Sequence, residues 1–332
     1  MLLKKFRQTG PDIVIMIVFI ILLIWLGAFL HPHLPSDQGF DVKPMPLFSL
    51  LMSLSCFSPL FSVFVAFLLV ILISALLVNF NTSAFFISER TFLPALIYGL
   101  LSSYFPQYQL LNPVLPAALF LILGIRKIID SYKVQGTAFS LFDAGLLISI
   151  GSLFYAGLIW FGILLIIGIA VLRSGSLTEL IISILGLAAP LFIVYGFLYV
   201  AGKDMDLQLS AVSYNLFGKD SHYSIPGLTL GVLVTAGTIV LISVTHLLSA
   251  INTKKIKSRK TFILLLWTFF LALGIYLLFK PVSAEIQWLI AIPPTYFVTH
   301  YFVFSRAKRL PGIMLALLFM LSALVQIANL LE

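Results

Sequence analysis

Charge is what this sequence has least of. Only 10% of its 332 residues are Asp, Glu, Lys or Arg, against about a quarter in a soluble domain. Apolar residues make up 61%, and the mean hydropathy is +1.13. A chain of this kind cannot dress a water-facing surface, which excludes a soluble globular fold and makes it an all-α, multi-pass membrane protein. A single cysteine, Cys56, excludes an intramolecular disulfide and a zinc site built on thiolates. No stretch interleaves basic and aromatic side chains on a soluble domain, so the net charge of +8 is not a nucleic-acid footprint. There is no internal repeat and no low-complexity tract.

What is present is a series of apolar runs, each near the roughly 20 residues that a spanning helix needs. Eleven lie near 12–31, 60–80, 91–105, 112–129, 138–155, 157–172, 178–201, 225–250, 261–280, 286–305 and 311–331. The third is short, and is either re-entrant or begins earlier, near Phe85. The first follows Lys4, Lys5 and Arg7 but is too long for a signal-peptide core and ends in His-Pro-His, so it reads as a retained helix.

Placing the N-terminus in the cytoplasm and alternating puts 16 of the 20 basic residues inside, among them Arg7, Arg126, Lys127, Lys254–Lys260 and Arg309. Lys43, Lys203, Lys219 and Lys280 fall outside, and no arginine does. Cytoplasmic loops carry this excess of Lys and Arg, so the pattern predicts about 11 spanning helices with the N-terminus in and the C-terminus out. The whole of 1–332 reads as one integral membrane domain, with a seven-helix part over 1–201 and a four-helix part over 202–332.

Local signals refine this. Ser176-Leu177-Thr178-Glu179 is a capping box opening the seventh helix. Tyr155-Ala156-Gly157 predicts a tight turn that makes helices five and six an antiparallel hairpin. Pro190 and Pro293-Pro294 predict kinks inside helices seven and ten. After the first span, "PLFSLLMSLSCFSP" is too short to span and carries Ser49, Ser53 and Cys56 on one stripe, the pattern of a helix lying in the outer interface.

Acidic residues and histidines concentrate in the outer segments. The first holds His31, His33, Asp37 and Asp41 within "HPHLPSDQGFD", and the second, 202–224, holds Asp204, Asp206, Asp220 and His222. The bland account is that water-facing loops need polar residues and basic ones are excluded by topology. The sharper account is an outward-facing active site. There Asp37 and Asp41 are the catalytic candidates, as general base or as ligands of a divalent metal at a diphosphate leaving group. His33, Lys43, Asp204, Asp206 and His222 are the substrate-binding candidates, Lys43 as a phosphate contact.

Within the membrane, Asp143 stands out, because a carboxylate in hydrocarbon marks function by default. It lies one turn into a helix on the basic side, where the helix dipole favours an anion. His246 and His300 lie near inner helix ends and read as packing residues. Glu89 and Arg90 read as a local ion pair.

Two stretches, "ERTFLPALIYGLLSSYFP" (89–106) and "LFDAGLLISIGSLFYAGLIWFGILLIIGIAVLRSGSLTELIISILGLAAPL" (141–191), resemble an uncharacterised family of polytopic inner-membrane proteins of Bacteroidota, over about two thirds of the chain. That resemblance implies the bacterial inner membrane and brings no activity.

A more distant resemblance is to the multi-pass C-type glycosyltransferases, in the acidic first outer loop, the interfacial helix after it and an "AGLLISIGSLFY" helix leading into a tight hairpin. It implies a polyprenyl-phosphate sugar as substrate at the periplasmic face. The chain departs from that pattern in the separation of Asp37 from Asp41, in the lack of a large C-terminal periplasmic domain and in the lack of an outer arginine to clamp a phosphate.

Three functions therefore stand side by side. They are a glycosyltransferase-like enzyme, a non-catalytic subunit of an envelope complex with membrane-protein partners, and a transporter or flippase.

Overall fold

The structure is a computed structural model that describes residues 2–7, 10–32, 43–55, 58–132, 138–172, 177–218, 227–279, 282, 284–307 and 309–331. Among these, the regular structure is all helical. The principal helices are α1 (Pro11–Ile24), α2 (Pro46–Ser55), α3 (Pro59–Ala84), α4 (Leu93–Ser102), α5 (Val114–Asp130), α6 (Ala138–Ser152) and α7 (Ile163–Leu172). They continue with α8 (Leu177–Val200), α9 (Met205–Phe217), α10 (Gly227–Ala250), α11 (Ile256–Leu278), α12 (Ile292–Phe304) and α13 (Leu310–Leu331). Short helical turns cover Leu2–Phe6, Leu26–Leu30 and Gln287–Ile290.

Five helices, α3, α8, α10, α11 and α13, are long and apolar enough to cross a membrane. Their outer faces carry side chains that water would not tolerate, such as Phe192, Val200 and Leu277, each more than three-quarters exposed. The protein is an integral membrane protein by this criterion.

The third apolar run takes a different form from a spanning helix. α4 has ten residues, all of them buried, and at 1.5 Å per residue it is about 15 Å long, half of a hydrocarbon core of about 30 Å. It does not begin near Phe85. That residue ends α3 in the left-handed conformation (φ 48°), and the Asn81 side chain organises the following turn, accepting from the Ile87 amide at 3.2 Å and donating to the Glu89 carbonyl at 3.2 Å.

Two other expectations change. α6 packs chiefly on α5 and α8, and α7 turns away toward α11, so α6 and α7 are not a simple hairpin; residues Ala156–Gly162 form a 3-10 segment between them. The close partner of α6 is set by glycine. A Cβ on Gly186 would sit 2.3 Å from the Phe142 carbonyl oxygen, and one on Gly145 would sit 2.4 Å from that of Ser183. The two backbones touch there, the small-residue contact that membrane helices favour.

Pro293 and Pro294 do not kink a helix from within. The helix is interrupted at Ala291, and both prolines occupy the first turn of α12, where a missing N–H costs nothing. Pro190 does lie inside α8, as expected. α8 begins at Leu177, while Ser176 of the capping box lies outside the described residues, as does Cys56 of the α2 stripe.

Candidate functional site

Two interrupted helices meet in the core. α4 ends at Ser102, and the chain then runs to Val114 with only a 3-10 turn at Pro106–Tyr108. Ser103, Tyr104, Gln109, Leu111 and Asn112 of this stretch are nonetheless buried. Irregular backbone at membrane depth persists only where protein or a wet cavity satisfies it, and a helix end leaves up to four carbonyls without intrahelical partners. Here side chains far along the sequence supply the donors. Ser322 Oγ donates to the Leu100 carbonyl at 3.2 Å, Gln287 Nε2 to Leu101 at 2.9 Å and Gln326 Nε2 to Ser103 at 3.1 Å.

Gln287 belongs to the second interruption. Between α11 and α12 the chain passes through a 3-10 turn at Ala284–Ile286 and the short helix Gln287–Ile290. Tyr98 Oη of α4 donates to the Trp288 carbonyl at 3.2 Å, closing the junction from the other side.

A cavity lies on each side of the 101–110 segment. One, of about 430 Å³, is an apolar slot lined chiefly by α10 and α11, with Leu101, Tyr104 and Gln287 also in its wall. The other, of about 550 Å³, is more polar and is lined by His31, Gln107, Gln109 and Asn329. Tyr104 Oη and the Gln109 carboxamide are buried with no hydrogen-bond partner among the described residues. Glu285, on the 3-10 turn, is fully buried within electrostatic reach of the Tyr155 hydroxyl.

The two segments expected outside meet at Lys43 and α9. The Lys43 amide donates to Asn215 Oδ1 of α9 at 2.7 Å, and Asn215 Nδ2 donates back to the Lys43 carbonyl at 2.8 Å. Lys43 Nζ lies 4.7 Å from the centre of the Tyr214 ring. Leu47, in the first turn of α2, donates its amide to the Leu153 carbonyl at 3.1 Å. Trp160 stacks on Phe279 at 4.8 Å and meets Phe217 of α9 edge-on at 6.0 Å. Lys43, where the described chain resumes after the first expected outer loop, thus sits on the helix of the second expected outer segment.

The candidates from sequence divide sharply. Asp37, Asp41, His33 and His222 lie outside the described residues. Asp204 caps α9, accepting from the Asp206 and Leu207 amides at 2.9 and 3.3 Å, and Asp206 is an exposed first-turn residue. Asp143 pairs with Lys127 of α5 at 2.8 Å, both half exposed. Among the described residues, no three His, Cys, Asp or Glu side chains lie together as a metal site. The expected divalent metal rests on Asp37 and Asp41.

Asp204→Ala is expected to fray the first turn of α9 at a cost of about 1 kcal/mol, seen as faster hydrogen exchange at Asp206 and Leu207 with the rest of the bundle unchanged.

Comparison with protein-family models finds none that matches, and no curated protein matches the chain.

Sequence reading singled out neither Asn215, Asn112, Gln109 nor Gln287, since each is one amide in a chain with few polar residues. It did place His246 and His300 as inner-end packing residues. Their rings lie 5.7 Å apart, His300 packed against Phe262 and Phe304, with Lys254 Nζ 3.7 Å from the Phe304 ring centre. Burial holds the Lys254 ammonium below the usual lysine pKa.

Proposed function

We propose that this is an eleven-pass protein of the bacterial inner membrane, N-terminus in the cytoplasm and C-terminus in the periplasm, its third crossing made by α4 together with the buried irregular stretch that follows it to Asn112, and that it acts on a lipid-linked substrate at its periplasmic face in the manner of a glycosyltransferase. The observation that carries the reading is the two-way clamp between Lys43 and Asn215. Two residues after Asp41, the first outer loop is tied to α9, so the acidic loop and the second outer segment belong to one surface. An enzyme taking a lipid head group at the membrane surface needs its groups gathered there rather than scattered over separate turns.

Contacts between helix ends support the threading. Residues expected inside meet one another: the Arg7 guanidinium donates to the Phe302 carbonyl, Lys260 Nζ to that of Leu172 at 3.3 Å, and Arg126 to Ser83 Oγ at 3.5 Å. Residues expected outside likewise share the Lys43–Asn215 and Trp160–Phe217 contacts. With Cys56 replaced by serine, a cysteine at position 43 is expected to react with an impermeant maleimide from the periplasm, and one at position 255 only after the membrane is opened.

Asp37 is the proposed general base and Asp41 its acidic neighbour, with the Lys43 ammonium as the phosphate contact. A general base contributes about 10²–10⁴-fold. Asp37→Asn is therefore expected to lower consumption of a radiolabelled polyprenyl-phosphate sugar at least about 100-fold, with insertion and yield unchanged. Equal turnover in both forms removes Asp37 from the chemistry.

The second reading is a non-catalytic envelope subunit. It is favoured by the structural work that Asp143 and Asp204 are seen to do, as ion pair and as helix cap. It expects no turnover in either form and co-purification of a membrane partner.

A further inference from the structure

We infer that the polar cleft where the helical turn Leu26–Leu30, the 106–110 segment and the last turn of α13 meet binds an uncharged, hydroxyl-rich group, the sugar of the lipid-linked substrate. The inference deepens the function proposed above and rests on the orientation given there, in which all three elements lie at the periplasmic face.

The cleft has depth. Val63, Gln109 and Leu110 close its floor at 1%, 1% and 3% exposed. His31 and Asn329 at its mouth are exposed, and Gln107 between them and the floor is half-buried. Its volume of about 550 Å³ falls in the range of about 300–1,000 Å³ typical of ligand sites.

The lining selects the chemistry of the occupant. Among the described residues it holds no Lys, Arg, Asp or Glu, so no opposite charge is there to pair with a phosphate or an ammonium drawn out of water. The accessible polar groups are instead the carboxamides of Gln107 and Asn329 and the His31 ring. Each carboxamide accepts through its oxygen and donates through its nitrogen. A hydroxyl also gives and takes, so a group bearing several hydroxyls is the natural match.

The backbone adds the same bias. α13 ends here after 22 residues, with Asn329, Leu330 and Leu331 in the cleft wall. A helix C-terminus leaves carbonyls over and carries about half a negative charge. It repels an anion and accepts from a hydroxyl.

The mouth points to a sugar that arrives on a lipid. Leu330 and Leu331 give it an apolar lip, 44% and 83% exposed, against which hydrocarbon can stay while the sugar enters. His31 lies six residues before Asp37, so the general base proposed above is tethered within at most about 20 Å of the cleft.

Asn329 provides the test, since it is exposed and its replacement disturbs no core. Full-length protein in mild detergent is offered an equimolar mixture of polyprenyl-phosphate glucose, mannose and N-acetylglucosamine, or the same polyprenyl phosphate without a sugar. Binding is read by native mass spectrometry. Wild type is expected to prefer the sugar-bearing lipids at least about tenfold, the worth of one or two net hydrogen bonds.

Asn329→Leu and Asn329→Trp are expected to lose that preference, and Asn329→Gln to keep it. Ile327→Trp, exposed on the same helix but off the cleft, is expected to keep it too. Equal binding of the two kinds of lipid by wild type, or an unchanged preference in both Asn329→Leu and Asn329→Trp, overturns the inference. So does displacement of the sugar-bearing lipids by an equal concentration of phosphatidylglycerol, which would assign the cleft to a glycerol head group. A preference that depends on Asn329 without any transferase turnover keeps the cleft and removes the enzyme. Turnover with a preference indifferent to Asn329 does the reverse.

Discussion

Asn112→Leu is expected to give a chain that enters the membrane but does not hold its native bundle. Asn112 is fully buried where the irregular 103–112 stretch turns into α5. Its Oδ1 accepts from the Val114 and Leu115 amides, both at 3.1 Å, and its Nδ2 donates to the Tyr108 and Leu110 carbonyls at 3.2 and 3.3 Å.

Leucine preserves the approximate volume and removes all four bonds. Each backbone group left buried without a partner costs about 1–3 kcal/mol. The total is a large share of a stability of about 5–15 kcal/mol. Thermal unfolding in detergent should show a clear loss of cooperativity or a fall in Tm well beyond that of a surface substitution. Asn112→Asp, which keeps both acceptor bonds, should fall between. A leucine variant as stable as wild type would mean that the 103–112 backbone is held by packing alone.

Gly186→Val is expected to separate α8 from α6. The first added atom already lies 2.3 Å from the Phe142 carbonyl oxygen and 3.0 Å from its Cα, so backbone and not a flexible side chain must yield. Overpacking a well-filled interior typically costs about 1–3 kcal/mol and occasionally more; backbone on both sides puts this case at the upper end.

The internal control is Gly196→Val, two to three turns along the same helix, where nothing lies within 4 Å. Its valine should be tolerated, and the pair compared by size-exclusion profile and Tm. Similar behaviour of the two would show that α6 and α8 do not pack as described.

The long apolar helices were legible because their signal is local. Eighteen or more consecutive apolar residues identify a span wherever the rest of the chain lies, and Ser58-Pro59, cap and first helical residue, mark the start of α3. α4 was not legible, because beside the local donor Ser103 the side chains that let it stop at Ser102 lie nearly two hundred residues or more away, at Gln287, Ser322 and Gln326. No window along the sequence contains both halves of that arrangement.

Much the same holds for Lys43, which was picked for its charge; what places it is its backbone, clamped by an asparagine 172 positions later. Asp204 could have been read better. Asp followed within three residues by an amphipathic run is an N-cap signature, and that use of the carboxylate needs no chemistry. Asp143 was half legible, since its position one turn into a helix gave the carboxylate the helix dipole as a structural reason but did not name Lys127.

The burial of α4 also bears on how the chain is made. A helix ten residues long with no lipid-facing side has nothing to gain by leaving the insertion machinery sideways into lipid on its own. The carbonyls of Leu101 and Ser103 at its end have side-chain donors on segments synthesised last, the Leu100 carbonyl has one there beside its local donor Ser103, and α12 and α13 pack over it. The centre of the molecule is therefore completed only when the C-terminal helices arrive. A ribosome stalled before residue 287 holds a half-built membrane protein whose unfinished part is its middle, the state in which membrane quality control would find it.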